Sequence, residues 1–469
     1  MNDDASEAQR IEYVGSATSH FQSDPLLLDD AGQPYATSDW EHELIRRLQG
    51  KHTKIPKADI RGLPRFLALR NLYIERSAYL SENMFRLSFD FPRLCPRPGE
   101  FNYKLMAEYA RTLILIRAAG IEPLVTLEHF TAPLFLTAIS SQGEITAGAW
   151  ENPDITKHLR FYVENVVRFL SNEALIHQIT QAAGLSPEQQ LAVASKGLVR
   201  YFLTINEPAT VLYNGYVSGA FPPFKRLRLV RLLTVLKRLV QAHDIATTVL
   251  KEGLRHQWAQ PQVGVTYNWQ SHEGVVGAVA QAFQEYCTRS FEHEGSSSDF
   301  LGLDYYFRYK FLAHRQRREY GTHPSFGDIY PKGISEVLAA LHSQFKAKPI
   351  FITEFGFADS NDLRRPYWIL ETVRYILEAK ETGIPIQGVL LWTLVNNFEW
   401  ELGMSPKFGL FDEAELDKLP IRSMNGIRSS EAWCAAIERM RAPGSAAVSR
   451  FNACFELAKT QYKEAGGLF

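Results

Sequence analysis

The apolar positions of this chain fall into two alternating rhythms. Short runs dense in β-branched and aromatic residues recur near 13–17, 83–89, 122–127, 201–205, 262–267, 299–305, 349–353 and 388–393. Between them lie longer stretches in which apolar residues return every three or four positions, the spacing of one helix face. Ile334, Val337, Leu338, Leu341 and Phe345 form one such face, and 104–119, 229–251 and 367–379 read the same way. A strand followed by a helix, repeated over eight candidate strands, predicts βα units around a parallel sheet. At this length an α/β fold of the (β/α)8 TIM-barrel type, with elaborated βα loops, fits better than an open sheet.

The segment 172–197 stands outside that rhythm. Leu185-Ser186-Pro187-Glu188 carries a helix start, with Ser186 as N-cap and Pro187 in the first turn. These residues are expected to form a helical hairpin inserted on the outer surface. No Gly/Ser linker, low-complexity tract or short repeat divides the remainder, so 1–469 is expected to be one barrel domain.

Composition narrows the classes. The 469 residues are 45% hydrophobic and 12% aromatic, enough for one large core and well suited to an uncharged, stackable ligand. A net charge of -1 offers no overall electrostatic case for nucleic acid or an anionic membrane surface. Cys95, Cys287, Cys434 and Cys454 form no CxxC pair, so reduced, mostly buried thiols are expected rather than a zinc site or a disulfide framework. Residues 1–10 are polar and acidic, without the apolar core of a signal peptide. No run of about 18 apolar residues offers a membrane segment, and a cytoplasmic protein is the default expectation. No GxGxxG or P-loop follows a strand, so no nucleotide or flavin cofactor is implied. His129 has no second ligand at turn or helical spacing, so no metal is expected there. Nothing in the sequence sets the oligomeric state.

The chemistry concentrates in two runs, Phe202-Leu203-Thr204-Ile205-Asn206-Glu207-Pro208 and Phe351-Ile352-Thr353-Glu354-Phe355-Gly356. Each is an apolar strand that ends on a glutamate beside a turn-former. Such an ending is poor core design unless the carboxylate does chemistry, and two of them suggest a carboxylate pair facing one pocket, as glycosidic-bond cleavage requires. Active sites of barrels gather at the C-terminal ends of the strands. Those positions here hold Gln22, Arg86, His129, Asn206, Glu207, Asn268, Tyr306, Glu354 and Trp392. Caps and turn-formers would be the ordinary content of such positions.

These segments carry a resemblance. Thr204-Ile205-Asn206-Glu207-Pro208 matches the T-x-N-E-P motif of glycoside hydrolase family 1, and Ile352-Thr353-Glu354-Phe355-Gly356 is similar to its I-T-E-N-G motif. Leu127-Glu128-His129-Phe130-Thr131-Ala132-Pro133 resembles its H-[WF]-x-x-P segment. Trp392-Thr393-Leu394-Val395-Asn396-Asn397-Phe398-Glu399-Trp400 resembles W-S-L-x-D-N-x-E-W, with Lys407-Phe408-Gly409-Leu410 following. The resemblance implies a retaining exo-β-glycosidase for a non-phosphorylated hexoside, a β-glucosidase first, with β-galactosidase or fucosidase side activity. It implies a small-molecule glycoside as partner and no cofactor. A negatively charged Glu399 argues against 6-phospho-sugars.

By the same resemblance Glu354 is the nucleophile and Glu207 the acid/base. Asn206 bonds the sugar 2-hydroxyl, and Tyr306 positions the nucleophile. Gln22, His129 and Glu399 grip hydroxyls. Trp392 is the stacking face, Trp400 a second wall, and Arg86 and Asn268 support the pair. Opposite protonation of the two glutamates is required. Arg86 is expected to hold Glu354 ionised, and burial plus the charge on Glu354 to keep Glu207 protonated. Retention predicts carboxyls about 5 Å apart.

The chain departs from the family pattern at Phe355, in place of Asn after the nucleophile, and at Phe130, in place of a more frequent Trp. Asp304 replaces the Asn of N-Y-Y and, if ionised, adds negative charge beside Glu354. Residues 88–93 are a loose version of S-I-E-W-S-R, and Gln22-Ser23-Asp24-Pro25 is a reduced Gln-x-Glu-Gly segment. Two further readings stay open: a transglycosylase using the same carboxylates, and a non-catalytic sugar-binding barrel, whose sign would be a missing carboxylate.

Overall fold

The computed structural model describes residues 10–255, 260–293, 298–310, 329–346, 348–418 and 426–467. The polar stretch 1–9 lies outside them. Eight strands close into a barrel: β1 (Tyr13–Ala17), β2 (Met84–Ser88), β3 (Glu122–Glu128), β4 (Tyr201–Asn206), β5 (Gln262–Asn268), β6 (Phe300–Tyr305), β7 (Ile350–Phe355) and β8 (Ile386–Trp392). Each pairs in parallel with its sequence neighbours, and β1 closes the ring against both β2 and β8. A helix follows every strand: α1 (Phe66–Tyr79), α2 (Tyr103–Ala118), α3 (Ile155–Leu170), α4 (Leu229–Gly253), α5 (Gly274–Phe291), α6 (Gly333–Gln344), α7 (Arg365–Glu381) and α8 (Ser429–Arg441). The chain is a (β/α)8 TIM barrel. A C-terminal helix, α9 (Ser445–Glu464), packs on α7 and α8.

Parallel strands buried on both faces demand apolar residues on both, and two cores result. One fills the space between barrel and helices. The other plugs the barrel interior at its N-terminal end, where the rings of Tyr13, Tyr201, Phe300 and Phe351 pack at centroid distances of 4.9–6.1 Å. Between α3 and β4 lie two helices, Glu173–Ala182 and Pro187–Lys196. Ser186 caps the second, its hydroxyl accepting from Gln189 N–H at 3.2 Å, and the pair packs outside the barrel on α2.

The register shifts at the start of β8, where Gln387 is skipped against β7, and in two strands near their C-terminal ends. In β7, Leu303 of β6 stands opposite Ile352 and Asp304 opposite Glu354, so the partner skips a residue. The same extra residue appears against β8. This is a β-bulge at Thr353, which turns Thr353 and Glu354 together toward the barrel axis. Phe355 consequently points outward, stacking on Trp368 at 5.6 Å and meeting Trp433 at 5.7 Å. In β4 a second bulge lies between Leu203 and Asn206, measured against β5. Thr204 bonds outward to His243 at 2.8 Å, whereas Asn206 turns inward to Arg86.

Candidate active site

Glu207 follows β4 directly. Its backbone is left-handed (φ 40°, ψ 64°), its N–H donates to Thr266 O at 3.0 Å, and Pro208 begins the next helix. A non-glycine residue in that conformation is strained and needs its surroundings to hold it. Asn268, at the end of β5, does so: its Nδ2 donates to Glu207 Oε2 at 2.8 Å and to Thr210 Oγ1 at 3.2 Å.

Glu354 lies across the mouth. Arg86 Nη1 donates to its Oε1 at 2.6 Å, and the hydroxyl of Tyr306 donates to Oε2. Arg86 is fully buried and spans the barrel. Its Nε donates to Thr126 Oγ1 at 3.0 Å, its Nη1 also reaches Thr353 O at 3.3 Å, and its Nη2 donates to Asn206 Oδ1. The Nδ2 of Asn206 is buried without a hydrogen-bond partner among the described residues, a donor left for something else.

Asp304 is the third acid. Thr353 Oγ1 donates to its Oδ1 at 2.7 Å, and Arg86 Nη1 is 3.8 Å from the same oxygen. Its carboxyl lies against that of Glu207 at hydrogen-bonding range. No donor reaches its Oδ2 among the described residues. Carboxyl oxygens of Glu207, Asp304 and Glu354 all lie within 4.8 Å of one another. Two carboxylates in contact cannot hydrogen-bond unless one is protonated.

The electrostatics follow. Burial lifts the pKa of Glu207 to about 7, helped by the charge on Glu354 and opposed by hydrogen bonds from Thr210, Asn268 and Asp304. Asp304 is pushed well above the carboxylate range by burial, against the pull of Arg86. Glu354 also rises, to about 8, through burial and then Asp304, while Arg86 and Tyr306 pull it down. Arg86 is therefore in contact with Glu354 as expected, but burial and the extra acid work against it. One cation balances one anion. Glu354 holds both the guanidinium and the phenol, so it is the group best provided to carry the charge. With Asp304 neutral, the second cause of the rise in Glu354 is removed and burial remains, opposed by Arg86 and Tyr306.

Above these groups opens a cavity of about 220 Å³, lined by Gln22, His129, Glu207, Asn268, Tyr306, Glu354, Trp392, Glu399 and Trp400. Nine of the eleven residues singled out from the sequence thus share its wall; Arg86 and Asn206 lie outside it, bonded to each other, and Arg86 is bonded to Glu354 as well. Gln22 Nε2 donates to Glu399 Oε2 at 3.1 Å. Burial, then Glu401, Glu354 and Glu207, push Glu399 well above its ordinary range. His129 lies parallel to Trp392 (6.0 Å, 11°) and to Trp400 (6.1 Å, 11°), and burial and then Arg86 keep its ring neutral. Gly356 lets the rims of β7 and β8 close, since a Cβ there would sit 2.3 Å from Trp392 O.

The wall also holds Thr210, Asn214, Phe221, Phe307, Glu401 and Leu402, none of which the sequence singles out, together with Phe408, quoted above only within its segment, and Phe130, noted there as a departure. Thr210 could have been found, being three residues past Glu207 in the helix that Pro208 starts. Phe221 and Phe307 come from long loops without periodicity. Arg93, in the loose 88–93 segment, does not reach the cavity; it is buried against Glu41 at 2.7 Å.

The profile of glycosyl hydrolase family 1 matches residues 72–177 and 282–437, more than half of the chain. The chain belongs to glycosyl hydrolase family 1, and is a glycoside hydrolase by that membership. Its relatives are distant. It is 22% identical to "Beta-glucosidase 47" of Arabidopsis thaliana, over 90% of this chain and 86% of the relative. It is 24% identical to the "Beta-galactosidase" of Pyrococcus woesei, over 66% and 68%. Among solved structures, a β-glycosidase from Pyrococcus horikoshii superposes with TM-score 0.69 at 22% identity, covering 94% of this chain and 97% of the other. The family 1 β-glucosidase of Thermotoga maritima gives 0.67 at 19% identity, covering 92% and 98%.

Proposed function

We propose that this chain is a retaining exo-β-glycosidase acting on non-phosphorylated hexosides, glucosides first. The observation that carries the reading is the meeting of the Glu207 and Glu354 carboxyls across one mouth, oxygens within 4.8 Å. That spacing leaves no room for the water that an inverting enzyme holds between its base and the sugar, and suits direct attack, which needs about 5 Å. Glu354 attacks the anomeric carbon while the proton of Glu207 passes to the leaving oxygen. Water then attacks the glycosyl ester, Glu207 takes its proton, and Glu354 leaves as the anion. The free Nδ2 of Asn206 is available to a sugar 2-hydroxyl, a contact that tightens in the transition state. A cavity of about 220 Å³ above the carboxyl pair favours a terminal sugar, and its wall, with Glu399 bonded to Gln22, holds no Lys or Arg among the described residues to pair with a phosphate.

Asp304 is compatible with this scheme in its neutral form. It then offers a protonated carboxyl where the family has a carboxamide, and with Glu207 protonated as well it leaves Glu354 as the single anion facing Arg86. Above the pH at which that proton leaves, a second anion stands in the site and turnover stops.

The test is the stereochemistry of the product. A proton NMR time course on an aryl β-glucoside should show the β-anomer first, and azide should rescue Glu207→Gln on an activated substrate. First appearance of the α-anomer overturns the retaining assignment. Full turnover by Glu207→Gln without azide overturns its role as acid.

A further inference from the structure

The whole-chain charge of -1 hides a local concentration. From Pro208 to His243 the sequence contains no Asp or Glu but carries Lys225, Arg226, Arg228, Arg231, Lys237 and Arg238. In the structure this stretch is the loop leading from the cavity wall, at Asn214 and Phe221, into the N-terminus of α4. Four of its apolar residues are turned outward, while Leu232, Val235 and Leu236 are buried. Leu227 is 75% exposed, Leu229 60%, Val230 82% and Leu233 53%. All six side chains of 226–231 are exposed, apolar and basic in mixture.

The loop is held in this form. Lys225 N–H donates to Gly215 O at 2.9 Å and Arg228 N–H to Tyr216 O at 2.8 Å. Phe224 and Leu227 have left-handed backbones, φ 59° and 50°. A leucine in that conformation is strained, and its exposure adds the cost of apolar surface in water. Both costs fall on one residue that faces solvent. Of its neighbours, Lys54 adds positive charge near Lys225, and Glu151 pairs with Arg231.

We propose that residues 224–233 dock this enzyme on an anionic lipid surface, with its cavity mouth beside the membrane. Charge complementarity selects this occupant. Cations at headgroup depth with leucine and valine between them match both layers of a bilayer interface. A second copy seated on the same face by two-fold symmetry would set Arg226, Arg228 and Arg231 against themselves. Nucleic acid would use the cations and leave the leucines in water. No described helix is long and apolar enough to cross a membrane, so the contact is peripheral.

The test is co-sedimentation of the full chain with vesicles of phosphatidylcholine alone or mixed equally with phosphatidylserine. Binding is expected to the anionic vesicles and not to the neutral ones. It should weaken about fivefold for each cation removed in Arg226→Gln and Arg228→Gln, and disappear in the double variant Leu227→Gln/Val230→Gln. Hydrolysis of a soluble aryl glycoside should be unchanged in all of these, which shows that they are folded. No sedimentation with anionic vesicles at low salt overturns the proposal, as does undiminished binding by the Leu227→Gln/Val230→Gln double variant. If that variant instead abolishes a concentration-dependent dimer while vesicles stay unbound, the face is a self-association surface and the membrane assignment is wrong. Vesicle binding is read without turnover, so the docking surface can fail while the glycosidase reading stands, and the reverse.

Discussion

The two ends of the barrel interior are built by the same eight strands and obey opposite rules. At the N-terminal end Tyr13, Tyr201, Phe300 and Phe351 close the bore with rings and follow the two-residue alternation. At the C-terminal end Arg86, Asn206, Asp304 and Glu354 fill the same bore with charge and amide, and bulges in β4 and β7 break the alternation to bring Asn206 and Glu354 inward. The apolar end needs no partner beyond its neighbours. The polar end is stable only while each group has the right proton and the right donor. Stability and chemistry are stacked along one axis, and substitutions should separate them.

The largest effect expected is Glu354→Gln, which should lower kcat/KM by at least about a thousandfold and leave the chain folded by circular dichroism. Next comes Phe351→Ala in the apolar end. It should cost about 3–5 kcal/mol of stability by denaturant midpoint, while turnover of the folded fraction stays within about twofold. The reverse pattern in either variant would break the division between the ends.

Asp304→Asn sharpens it. The folded-state pKa values here are raised, Glu207 to about 7 and Glu354 to about 8, with Asp304 raised as well. The folded chain holds protons that the unfolded chain releases, so stability is greatest below the ordinary carboxylate range and is lost as pH rises toward those values. Removing one such acid should flatten the loss: Tm should rise by about 1–3 °C at the alkaline side and little at the acid side. The alkaline limb of kcat/KM should move to higher pH. An unmoved limb would mean that the titrations of Asp304 and Glu207 are not linked. Smallest of all, Asn268→Ala removes one donor from Glu207 and should reduce kcat/KM about tenfold.

The barrel was legible because its strands are apolar on both faces and its helices on one, and each motif stood at a strand end. The bulges were not. On strict alternation Glu354 would follow Ile352 outward to the helices, and Phe355 would face the sugar; a single extra residue at Thr353 exchanges them. Phe355 therefore departs from the family on the outer face, against Trp368, rather than in the cavity. Asp304 could be flagged from the motif, but its contact with Glu207 depends on how β6 meets β7. Phe221, Phe307 and Phe408 reach the cavity from loops whose paths no periodicity describes.

Arg86 reaches from β2 to side chains or carbonyls on β3, β4 and β7. One guanidinium thus acts as a cross-brace below the rim and sets the aperture between the two glutamates from strands rather than loops. Loops above that brace can be lengthened, swapped or redesigned for a new aglycone with the carboxyl spacing preserved, whereas a change at this one arginine would alter the gauge of the whole mouth at once.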